Sequence, residues 1–400
     1  MKQFVLDNLK NLRGWRTRRK LVAFAVDDYC NVRLASREAR DHLMRAGLDL
    51  SSRFDQFDAM ETRHDLEALF EVLNGVRDER GRPAVFTAYV VGANPDFSAI
   101  RSTWRYAYEP VDHTFARLAA EQPSSYAGVW ELWQEGISHR LIRPQFHGRE
   151  HINVNLFEYK LRTRSEDLRV NLENDSMAGL ADEPAMPGVG FTQAFGLHDS
   201  SELPRHREIL SDGLDLFEKT WGFRSTTFAP PAMKLHPSLD EVAIARGVLA
   251  LDKPLSCTRT IGDGTSRREI NHSGRQRGQS HITIVRNVVF EPCADMGFEP
   301  ITRAMQQITA AFRWSKPAII SSHRVNFCGH LNGANRKQGL SALKNLLDGI
   351  VERWPDVEFV TVDELVDSKM RVCECGESTL SSKCKACELS GRMLSRIRGP

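Results

Sequence analysis

The stretch "LIRPQFHGREHINV" sets two histidines, His147 and His151, four residues apart. On a helical turn that spacing puts both imidazoles on one face, near enough to share a metal ion. With 13 histidines in 400 residues the pair alone is weak evidence. A third donor stands at "VAFAVDDYC", where Asp27 and Asp28 follow an apolar run. Neighbouring carboxylates at a strand end can divide two tasks, one binding a cation and the other staying free as a base. A divalent ion holds a nearby carboxylate ionised and, for zinc, lowers the pKa of a water from about 16 toward roughly 7. Hydrolysis is the chemistry that follows. The plainer reading of the two aspartates is a capped turn into the next helix. HGREH also fits H-x-x-E-H, the pattern of inverted zinc peptidases with the glutamate as base. That pattern needs a continuing helix, whereas Pro144 and Gly148 bracket its start and "LIRPQF" reads as a strand. Glu150 is then a solvent-side residue or a support for the ligands.

The elements that must position these groups alternate. "KLVAFAVDDYC" is a buried strand, "SREARDHLMRAG" a helix with a stopping glycine, "DLEALFEVLNGVRDERGRP" a second helix and "AVFTAYVVGAN" a strand. The rhythm returns in "SDGLDLFEKTWG", "STTFAPP", "SLDEVAIARG" and "VLALDK", and twice more before residue 368. Strand, helix, strand implies parallel pairing with right-handed crossovers, hence an α/β barrel or open sheet over residues 20–368. In such folds the loops after the strands' carboxyl ends build the site. Asp27, Asp28, His147, His151, the turn at 229–231 and His323 all fall there. "GLADEPAMPGVGFTQAFG" reads as a loop, and "SCTRTIGDGTSRREINHSGRQRGQ" as a polar excursion or lid.

Lys and Arg number 54 against 52 Asp and Glu, so global charge calls for neither nucleic acid nor an anionic membrane. The residues 1–19 read as a basic N-terminal helix with no continuous apolar core, and no run of eighteen apolar residues occurs, so a soluble cytoplasmic protein is expected. Cys30, Cys257, Cys293 and Cys328 have no pairing rhythm and read as reduced thiols. Cys373, Cys375, Cys384 and Cys387 crowd into a tail over 369–400. C-x-C followed by C-x-x-C suits a second, structural zinc, with a protein partner docking through that knuckle as an option.

The order "VAFAVDDY", "PAVFTAYVVG", "QFHGREH", "WGFRSTTFAPPA", "GVLALDKP" and "AIISSHR" resembles the polysaccharide deacetylases of the NodB-homology, carbohydrate esterase type, across nearly all of residues 20–368. The resemblance implies an irregular (β/α) barrel with loop insertions and metal-dependent hydrolysis of an N- or O-acetyl group on a sugar or glycan precursor. Carried over to this chain, it makes Asp27 the general base, Asp28, His147 and His151 the ligands of a zinc-like ion, and His323 the general acid. A backbone N–H near Ala232 joins the ion in holding the oxyanion.

Two departures from the family pattern matter. Ala229 and Ala232 stand where Arg and Tyr usually flank the prolines, so the base must draw support from elsewhere, for instance Arg224 or Lys253. Serine replaces the leucine expected before the late histidine, which leaves the acetyl-methyl pocket in doubt. A catalytically silent barrel that binds a carbohydrate or partner is therefore the alternative. In the insertion before HGREH, Trp130 and Trp133 are candidates for stacking on sugar, although "VWELW" at helical spacing also suits packing.

Overall fold

In a computed structural model, residues 2–262, 265–277 and 281–374 are described. The apolar run of β1 (Lys20–Tyr29) is buried from Leu21 onward on both faces, which is what a strand inside a parallel sheet requires. After it come α1 (Arg37–Arg45) and α2 (Arg53–Phe57), started by the side chains of Ser36 and Ser52, then α3 (Arg63–Asn74) behind a capping box of Thr62 and Asp65. The fully buried β2 (Phe86–Val91) follows, and β3 (Ile142–Gly148) comes after a long helical insertion. The later strands are β4 (Thr227–Phe228), β5 (Ala250–Asp252), β6 (His281–Ile284), β7 (Val288–Val289), β8 (Ala318–His323) and β9 (Val357–Phe359).

Eight of these strands run parallel in the order β6-β5-β4-β3-β2-β1-β8-β7, with β9 also parallel to the start of β1 and Gln276–Arg277 antiparallel outside β6. The strands at the two ends of that order, β6 and β7, are separated in sequence by only Val285, Arg286 and Asn287. Three residues reach little more than about 10 Å. The sheet must therefore curl until its edges lie side by side, which is the barrel-like α/β architecture expected. Asn287 ties this linker to β8, donating from its backbone to Ile319 and accepting from the Ile319 N–H at 2.8 Å.

The N-terminal helix is shorter than 1–19. It spans Lys2–Leu9, and the basic run "RGWRTRRK" lies beyond it. Gly14, at φ +98°, turns the chain there, and a Cβ would meet the Ser273 carbonyl oxygen at 2.6 Å. The polar excursion resolves into an antiparallel hairpin, Ser256–Gly262 with Thr265–Ile270. At the far end a helix, Val362–Glu374, carries the backbone of Cys373, while Cys375, Cys384 and Cys387 lie outside the described residues.

Candidate active site

Each strand that carries candidate ligands breaks register where they sit. β1 pairs with β2 at Val26↔Ala88 and resumes at Tyr29↔Val90, so Asp27 and Asp28 together oppose one residue. This is a β-bulge, and Asp28 has φ +76°. In a regular strand neighbouring side chains point to opposite faces. The bulge and the left-handed residue bring both carboxylates to the mouth. β3 does the same against β2, passing from Val90↔Phe146 to Val91↔Gly148 and leaving His147 unpaired.

Gly148, at φ +142°, then turns the chain against the ring of Pro231, 3.2 Å from where a Cβ would stand. His151 returns beside His147 with ring centroids 5.1 Å apart. The two histidines thus meet through a bulge and a glycine turn, and the helical turn expected from their spacing is absent.

Asp28 Oδ1 lies 3.3 Å from His147 Nε2 and 3.0 Å from His151 Nε2, and donors from all three residues fall within 4.8 Å of one another. His147 Nδ1 is 2.7 Å from the Ala229 carbonyl oxygen. A carbonyl only accepts, so that nitrogen carries the proton and Nε2 turns its lone pair to the centre. Burial raises the Asp28 pKa, but His151 and His147 outweigh it and hold the carboxylate well below its usual range. Two imidazoles and one ionised carboxylate form the donor set of a zinc-type ion, so these residues fit the expected metal.

Asp27 is gripped by Arg286, whose two terminal nitrogens each donate at 2.7 Å. The same guanidinium holds Asp252, and it passes 5.2 Å from the centre of the Tyr89 ring. Burial pushes Asp27 up, yet Arg286, His147 and His323 bring it below the ordinary carboxylate range. Asp252, also buried, is pushed up to about 6 despite Arg286. The sequence reading looked for this support at Arg224 or Lys253. Arg224 instead pairs with Glu218 at the surface, and Lys253 with buried Asp240 at 2.7 Å. The support comes from Arg286, in the three-residue seam between β6 and β7.

His323 ends β8 directly opposite Asp27 in the sheet register, with Nε2 3.9 Å from Asp27 Oδ2. Its Nδ1 is bonded to Glu291 at 2.6 Å, and the other Glu291 oxygen accepts from Arg53 and Asn326, both at 2.7 Å. Burial lowers the imidazole's pKa, but Glu291 overrides this and lifts it to about 9. The site therefore presents an ionised carboxylate and a protonated imidazole on adjacent strands.

No protein-family model matches the chain, and no curated protein matches its sequence. Solved structures show a likeness to it. A Mycobacterium smegmatis protein named as a polysaccharide deacetylase covers 93% of this chain and 97% of its own at 12% identity, with a TM-score of 0.44. A Pseudomonas aeruginosa PAO1 protein similarly named covers 88% of this chain and 92% of its own at 10% identity, TM-score 0.43. The 4-alpha-glucanotransferase of Thermococcus litoralis covers 88% and 40% at 9% identity, TM-score 0.43.

The remaining candidates divide. Glu150 is buried, not solvent-side, and bonds to the Tyr106 hydroxyl and to Arg149 at 2.7 Å. It has no helix to carry it to the ligands, so the peptidase pattern is not assembled. Trp133 is fully buried, edge-on to Tyr29 and Trp221, with its indole N–H on Glu61 at 3.2 Å. It presents no face to a sugar. Trp130 is half-buried in the same cluster, 5.0 Å from Trp221 and 5.9 Å from Phe115. Ala232 is exposed at φ +51° and lines a cavity of about 370 Å³ with Gln193, Phe195, His236 and Cys257. Among the described residues no helix is long and apolar enough to cross a membrane.

Proposed function

We propose that this chain is a metal-dependent hydrolase that removes an N- or O-acetyl group from a sugar or glycan precursor. One observation carries the reading: a carboxylate held ionised by Arg286 and an imidazole held protonated by Glu291 flank the Asp28, His147 and His151 donors. The acetylated sugar as substrate rests on the motif resemblance.

A divalent cation, zinc by the donor set, bound by Asp28, His147 and His151 would polarise the acetyl carbonyl and acidify a water. Asp27, pinned by Arg286, is placed to take the proton from the attacking water. The carbonyl carbon gains the water oxygen and loses the sugar nitrogen or oxygen, which leaves with a proton from His323 Nε2. Glu291 holds the imidazole so that Nδ1 is occupied and Nε2 alone faces the cleft. Acetate and the free amine or alcohol are the products.

Arg286 supplies the support for the base that Ala229 and Ala232 do not, which favours the enzyme over the silent barrel; the serine before His323 still bears on the acetyl-methyl pocket. A second, structural zinc at Cys373, Cys375, Cys384 and Cys387 remains part of the proposal on their spacing alone, as do the cytoplasmic setting and a protein partner for the tail. The test of function is acetate release from a panel of acetylated mono- and oligosaccharides. Release that falls at least a hundredfold in Asp27→Asn, at unchanged metal content, supports the reading. No release from any member, with metal bound, returns the chain to the silent class.

A further inference from the structure

The proton donor has a neighbour that the reaction above does not use. Phe54, half-buried on α2, lies with its ring centroid 5.3 Å from that of His323 at an interplanar angle of 79°. The His323 side chain is itself 31% exposed, so both rings reach the surface here. The ring is fixed from several sides. The Arg53 guanidinium lies over it at 4.6 Å and is tied to Glu291 at 2.7 Å and to Asn326 at 3.1 Å. Arg33 approaches at 5.7 Å and is tied to Asp55 at 2.7 Å, and Asp55 accepts from the N–H of Gly179. Arg33 pairs with Asp55, whereas Arg53 shares Glu291 with His323. Rotation of Phe54 would strip two cation–π contacts.

Geometry decides which part of a substrate meets this wall. The atom that leaves must come within hydrogen-bond reach of His323 Nε2, because Nδ1 belongs to Glu291. The ring bearing that atom is one bond farther out. A ring carried by the leaving atom therefore comes up beside the donor, where Phe54 stands.

Resting on the hydrolase reading, we infer that Phe54, braced by Arg33 and Arg53, is the specificity-determining residue of the leaving-group side and selects a sugar ring. The C–H face of a pyranose packs against the phenyl ring, and its hydroxyls meet the edges of the guanidinium groups. A small acyclic leaving group gains nothing from the wall.

Two substrates with the same acetyl group separate this from a structural role: glucose penta-acetate, and vinyl acetate, whose leaving group carries no ring. Phe54→Ala is expected to lower kcat/KM for the sugar ester by about tenfold and to leave vinyl acetate within about twofold, with Phe54→Tyr restoring the sugar. Phe54→Leu, which keeps apolar bulk and the helix, is expected to show the same selective loss. Equal losses on both substrates, or no loss on either in Leu and Ala variants that melt as the wild type does, overturn the inference while the hydrolase reading stands. Wild-type protein that releases acetate from vinyl acetate but not from the sugar ester overturns the inference as well. Failure on both esters and on every acetylated amine sinks the hydrolase reading itself.

Discussion

Asp27 and His323 are register partners on adjacent parallel strands, and each is held by a charged residue from a different part of the chain, Arg286 for the aspartate and Glu291 for the histidine. Both partners come from the short stretch that closes the sheet and continues past β7, so closure of the barrel and charging of the site are one structural event. The consequences can be measured separately.

Arg286 bonds two buried carboxylates at once, Asp27 and Asp252. Arg286→Met leaves Asp27 and Asp252 without their cation, a loss of about 3 kcal/mol or more in unfolding free energy for a broken buried pair. Acetate release should fall steeply, while metal content per chain is expected to stay unchanged, since Asp28, His147 and His151 are untouched. Denaturant unfolding together with metal content checks this. Full stability in the variant would mean that Arg286 does not carry the network.

Glu291 sets the alkaline limit. A general acid works while protonated, and His323, raised to about 9, keeps that form through neutral pH and loses it as the pH climbs past that value. Glu291→Gln removes the largest upward influence, so the alkaline limb of kcat/KM should move to lower pH. A limb that stays in place would assign it to another group.

Gly148 brings the two imidazoles together. Gly148→Ala puts a methyl 3.1 Å from the Glu150 carbonyl oxygen and 3.2 Å from the Pro231 ring, in a conformation that side chains rarely adopt. His151 is then displaced from His147. Metal affinity should drop at least tenfold with a stability loss of about 1 kcal/mol or more, as read by competition with a chelator. Undiminished affinity would show that the turn does not set the spacing of the ligands.

How far the sequence alone reaches can be judged residue by residue. The strands were legible because buried parallel strands are continuous apolar runs, and β1 and β2 are buried almost end to end. The donors at the strand ends were legible because such polar pairs are rare after apolar runs. The bulges were not: a register shift is a property of two strands, and nothing in "VDDY" or "FHGREH" announces which residue will go unpaired. Arg286 was hidden for the same reason, since it meets Asp27 across 259 residues of chain. Glu291 and His323 are 32 apart, and the glutamate lies in a loop with no periodicity to mark it. The tryptophans allowed two readings, sugar stacking or packing, and for Trp133 packing holds. Helical spacing in "VWELW" reflected packing against Tyr29 and Trp221, and Trp133 went into the core.

The central claim is that Asp28, His147 and His151 enclose one divalent ion. Metal content per chain in purified protein, compared between the wild type and His147→Ala/His151→Ala, tests it most directly, because any zinc held by the tail cysteines cancels in the difference. The expected difference is one ion per chain, accompanied by loss of acetate release. Equal metal content in the two proteins, with the variant folded, would contradict it.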